Sequence, residues 1–72
     1  MLRHGRLIEI GPDGYGFVLD DSSPFRSYVF RPEMFAGPMP ERPEELENQA
    51  VSFMLGVDGR PRQVKLHRIA GA

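Results

Sequence analysis

The chain contains no cysteine, which rules out disulfides and thiolate metal sites, and its two histidines, His4 and His67, stand too far apart in sequence for a local metal motif. A reducing cytoplasm fits that composition. No apolar run approaches the roughly 20 residues needed to cross a bilayer, and "MLRHGRLIEI" lacks the apolar centre of a signal peptide, so the chain reads as soluble and cytoplasmic. Also missing are a nucleophile–base motif and a phosphate-cradling glycine loop. Ser22, Ser23, Ser27 and Ser52 have no recognisable base beside them. An enzyme is therefore the least expected class, and no cofactor or metal is implied. Nor is there an excess of positive charge: nine Lys and Arg against ten Asp and Glu leave a net charge of −1. Domains that hold nucleic acid mainly by charge are markedly basic.

What is present is short and unevenly charged. Seventy-two residues make one domain, 1–72. A domain of that size buries only about 60% of the surface of its unfolded chain, so a deep cleft is not expected. Glu33, Glu41, Glu44, Glu45 and Glu47 crowd the middle, while Arg60, Arg62, Lys65 and Arg68 crowd the end. One face can thus be basic although the total is not. Eight of the nine cations are arginine, which stacks on bases as well as pairing with phosphate.

Short runs rich in β-branched and aromatic residues, separated by turn signals, predict an all-β fold. "GRLIEI" reads as a first strand and "GPDG" as a tight turn, with Pro12 at its first central position and Gly14 supplying freedom in φ. "YGFVLD" follows as a second strand. "FRSYVF" is a third, which Pro32 stops, and "PEMF" suits one helical turn. From Ala36 to Asn48, "AGPMPERPEELEN" predicts a long loop with one turn of helix at "PEEL", and loops of this length are usually mobile or functional. "QAVSFMLGV" alternates with Val51, Phe53 and Leu55 on one face. Asp58-Gly59 in "VDGR" suits a primed hairpin turn. "RQVKLHRI" closes the chain, with Val64 and Leu66 inward and Arg62 or Gln63, Lys65 and His67 outward. Five short antiparallel strands suggest a small barrel, because closure removes exposed edges.

The stretch "DGYGFVLDD" sets two glycines beside two rings. Alternation puts Tyr15 and Phe17 on one face and Gly14, Gly16 and Val18 on the other. Were the rings inside, Tyr15 would need a hydroxyl partner and the outer face would be bare glycines and a valine. The opposite assignment lets the glycines admit a close backbone crossing and leaves two rings facing water. Phe30, Phe53 and Tyr28 carry the parity of the core, and Phe25 and Phe35 suit loop anchors.

"GYGFV" at Gly14 to Val18 resembles the glycine-aromatic signature of the bacterial cold-shock domain. "SYVFRPEMF" resembles its second nucleic-acid-binding strand, and "LENQAVSFML" with "DGRPRQVKL" resembles its fourth and fifth strands. The resemblance spans Gly5 to about Leu66. It implies a five-stranded oligonucleotide-binding barrel with single-stranded RNA or DNA across the second and third strands, bases stacking on outward rings. On that pattern Tyr15 and Phe17 are the stacking pair, Arg31 replaces a histidine and Val29 an outward phenylalanine, with Arg6, Arg60 and Met39 around them. The chain also departs from the pattern. The family's first-strand tryptophan falls on Ile8 or Glu9, its lysine before the signature glycine is Asp13, and a further aromatic is Pro32. Each lost stacking platform costs about 1–3 kcal/mol, so binding is expected to be micromolar or weaker. The competing expectation is a protein-interaction module or homodimer that covers the rings. It draws on Glu9, Asp13 and Val29 along the same face.

Overall fold

Strict alternation in the first strand sets the architecture: Arg3, Gly5 and Leu7 turn inward, while His4 and Arg6 face solvent. The computed structural model describes residues 2–23 and 26–67. Its strands are β1 (Leu2–Ile8), β2 (Gly16–Asp20), β3 (Ser27–Phe30), β4 (Ala50–Leu55) and β5 (Pro61–Leu66). All pairings between them are antiparallel, in the order β3-β2-β1-β4-β5. The sheet curls into an all-β half-barrel of the oligonucleotide-binding type. Its open side is drawn together by a parallel bridge between Phe35 and Val64, where the Ala36 N–H donates to the Val64 carbonyl at 2.8 Å.

Leu7, Ile10, Val18, Phe30, Leu46, Val51, Phe53 and Val64 form the core. Burying each large apolar side chain contributes about 1.5–3 kcal/mol. Phe30 and Phe53 lie inside as their parity required, and Tyr28 meets Phe53 edge-on with ring centroids 6.1 Å apart. Gly16 is needed where the chain leaving β1 passes close over the start of β2. A Cβ there would meet Ile10 Cδ1 at 2.5 Å and the Glu9 and Ile8 carbonyls at 2.9 Å. The 11–14 turn forms as expected, with the Gly14 N–H donating to the Gly11 carbonyl at 3.0 Å and Gly14 at φ +86.

Several boundaries differ from the sequence reading. The first strand begins at Leu2 rather than Gly5, because Leu2, Arg3 and His4 pair with Met54, Phe53 and Ser52. It ends at Ile8, because Glu9 takes a left-handed φ of 54. The third strand starts at Ser27. Phe25 lies outside the described residues, as do Arg68 and Ile69 at the end of the last expected strand. The β4–β5 turn is not primed. A primed pair of the Asp-Gly kind needs positive φ at both residues, and here only Gly59 has it (φ +77). The Gly59 N–H donates to the Gly56 carbonyl at 2.9 Å and the Gly56 N–H to the Arg60 carbonyl at 2.9 Å, making a three-residue loop. Both helical turns are present as 3-10 segments, Pro32–Met34 and Pro43–Leu46.

Candidate nucleic-acid interface

Register across β1, β2 and β3 assembles the outer face row by row. Ile8 lies opposite Phe17, and Phe17 opposite Val29. The next row holds Arg6, Leu19 and Ser27. On the other side of the Phe17 row, Tyr15 precedes Phe17 by two residues and Arg31 follows Val29 by two. Arg31 keeps the extended conformation (φ −119, ψ 151), so both share the outer face. Tyr15 is 48% exposed, Phe17 36% and Val29 52%, so neither the interior nor the long connection covers the rings.

Of the two first-strand candidates, Ile8 and Glu9, the register places only Ile8 in this outer row. Ile8 stands in the row with Phe17, while Glu9 has left the strand through its left-handed backbone. An aliphatic side chain therefore occupies the outward place beside Phe17, where a ring would stack. Asp13 is occupied locally: its Oδ1 accepts the Tyr15 N–H at 3.1 Å, which fixes the entry into β2.

Arginines frame the aromatic surface. Arg6 reaches the Asn48 carbonyl through Nη1 at 3.4 Å, a long contact that leaves the guanidinium exposed. Among the described residues, neither Arg31 nor Arg60 forms an ion pair. Val29, Arg31 and Arg60 come together on one surface groove of about 320 Å³ between β3 and the β4–β5 turn, with Met34 and Pro61 as apolar walls. Met39 belongs elsewhere. It packs against the core cluster from the 36–48 connection.

No protein-family model, curated protein or solved structure matches this chain. Among the described residues, no three His, Cys, Asp or Glu side chains gather as metal ligands would, and no helix is long and apolar enough to cross a membrane.

One polar cluster escaped the sequence reading. Asp20 is fully buried on the inner face, where its Oδ2 accepts Arg3 Nη1 at 2.8 Å and its Oδ1 accepts the Ser22 hydroxyl at 2.7 Å and the Ser22 N–H at 3.0 Å. Burial alone would raise the carboxyl's pKa. The bonds from Ser22 and Arg3 outweigh it and hold the pKa below its ordinary value of 3.8. The available signal was parity: Asp20 shares its face with Val18.

Proposed function

We propose that this chain is a non-catalytic, cold-shock-like binder of single-stranded RNA or DNA. The observation that carries the reading is the open placement of Tyr15 and Phe17 side by side on a barrel face edged by Arg6, Arg31 and Arg60. The β2–β3 face and adjoining loops of such barrels are where oligonucleotides bind in this fold class. Stacking suits a chain with little net charge, because each aromatic platform contributes about 1–3 kcal/mol without regard to base identity. Two rings and three cations make a weak site, in which strands are held open rather than gripped. A role resembling that of RNA chaperones follows from that weakness.

Titration with a pyrimidine-rich heptamer, followed by tyrosine fluorescence at low salt, tests the reading. Saturable binding is expected, and Phe17→Ala should weaken it about 5- to 150-fold, the equivalent of one platform. Absence of saturation, or a Phe17→Ala protein that binds unchanged, would refute it.

A second reading has its own observation. The Ile8–Phe17–Val29 row is mostly aliphatic, and Glu9 lies exposed at its end. Such a patch also suits a protein surface or a second copy of this chain. Light scattering separates the two: a dimer that dissociates on Phe17→Ala supports the interaction module, whereas a monomer whose Tyr15 and Phe17 amides respond to oligonucleotide supports nucleic-acid binding.

A further inference from the structure

The outer edge of β3 presents main-chain groups that the barrel does not use. The Asp20 N–H donates to the Arg26 carbonyl at 3.2 Å, which makes that pair a hydrogen-bonded one, and the alternation of an antiparallel ladder extends the pattern to Val18–Tyr28 and Gly16–Phe30. The intervening residues, Ser27 and Val29, therefore turn their N–H and C=O groups away from β2. Among the described residues nothing pairs with them there, because β3 is the terminal strand and the bridge to β5 begins only at Phe35. Both residues line the groove that Arg31 and Arg60 flank. Exposed main-chain donors and acceptors at a strand edge are a template for pairing.

We infer that the Val29 main-chain N–H and C=O hold the Watson–Crick edge of one base lowered into this groove, so that the protein distinguishes unpaired from paired bases by its backbone. The inference rests on the single-strand-binding reading and deepens it. Every nucleobase carries one adjacent donor and acceptor on that edge, and a duplex has already committed them. Stacking on Phe17, Val29's partner in register, brings the strand to the spot. Arg31 and Arg60 are placed for its phosphates, and Met34 and Pro61 for the base faces. A groove of about 320 Å³ lies at the lower end of the roughly 300–1,000 Å³ range of small-ligand pockets, room for a base and not for a folded segment.

A peptide added as an extra strand fits less well. The edge is four residues long and only Ser27 and Val29 point outward, too short a ladder for strand addition. The cationic flanks also favour phosphate. The neighbouring hollow is less suitable for an anion, since Glu33 and Asp58 share it with the arginines.

The test compares heptathymidylate with the same oligomer methylated at every thymine N3, which blocks the Watson–Crick edge while leaving π-faces and phosphates intact. Binding is followed by amide chemical shifts and hydrogen exchange. The methylated oligomer is expected to bind about tenfold more weakly, the loss of one to two hydrogen bonds. The Val29 amide should be protected only by the unmodified one. Equal binding of both oligomers with the Tyr15 and Phe17 amides shifting and Val29 unprotected would overturn the inference while leaving the stacking reading standing. Failure of both oligomers to bind would remove the inference and the stacking reading together. Protection of Val29 by an acidic peptide and not by heptathymidylate would assign the edge to a protein instead.

Discussion

Asp20 shows how much a single residue can depend on its surroundings. A carboxylate with no exposed surface is normally a liability, yet here Arg3 and both polar groups of Ser22 satisfy it and favour its charged form. Because its folded pKa lies below 3.8, the stabilisation is complete above the unfolded value and is lost as pH falls through the folded one. Asp20→Asn keeps the shape and removes the charge. It should lower stability at pH 7 by about 1.5–3 kcal/mol, the range for hydrogen bonds to a charged group. Urea unfolding at pH 7 and pH 2.5 checks this: the gap between wild type and variant should narrow at the lower pH, and a gap independent of pH would show that the charge is irrelevant. Phe17 is the opposite case. Its side chain is about a third exposed, and its substitution should register in binding far more than in unfolding.

The elements were legible in proportion to how local their causes are. Alternation marked β4 clearly, since Val51 and Phe53 are core residues separated by Ser52. Turn chemistry placed "GPDG", and proline placed both 3-10 segments. The rest depends on partners that a single sequence does not display. Leu2, Arg3 and His4 are strand because β4 lies beside them, and nothing in "LRH" alternates in hydrophobicity. The choice between Arg62 and Gln63 as the outward residue could not be made because the question had no single answer. A register shift between Ser52 and Met54, with Gln63 at φ 53, leaves both exposed. On the candidate face, the outward ring pair was readable from parity, whereas the approach of Arg60 to Arg31 depends on how the β4–β5 turn sits beside β3.

The 36–48 connection is the element whose expected character changed most. Its composition suggested mobility or function, but Leu46 is only 4% exposed within the core. The Asn48 N–H also donates to the Leu7 carbonyl at 2.7 Å, and the Leu7 N–H to the Gln49 carbonyl at 3.0 Å. The connection closes one end of the barrel. Leu46→Ala should therefore cost about 2–5 kcal/mol, the range for truncating a buried leucine. An unfolding free energy within about 0.5 kcal/mol of wild type would mean that the Leu46 side chain is dispensable. Glu44 and Glu45, in the same 3-10 turn, are exposed, and their neutralisation should leave stability nearly unchanged.

At the scale of the whole molecule, net charge bears on the proposed binding. With nine cations against ten anions, long-range attraction for a polyanion is absent, and on the proposed reading affinity comes from short-range stacking plus the few arginines beside the rings. That balance makes a quantitative prediction. If Arg6, Arg31 and Arg60 each neutralise one phosphate, log K against log salt should fall with a slope of about −2, taking about −0.7 per contact for single strands. Affinity should then drop only about 15- to 20-fold between 50 and 200 mM salt. Arg31→Gln should reduce the slope to about −1.4 while leaving the Tyr15 and Phe17 responses in place. Fluorescence titrations at four salt concentrations measure both. A slope steeper than about −4 would require phosphate contacts well beyond this face, with the basic residues of β5 the first place to look. A slope near zero with binding intact would mean that the rings act alone and that the three arginines serve solubility rather than recognition.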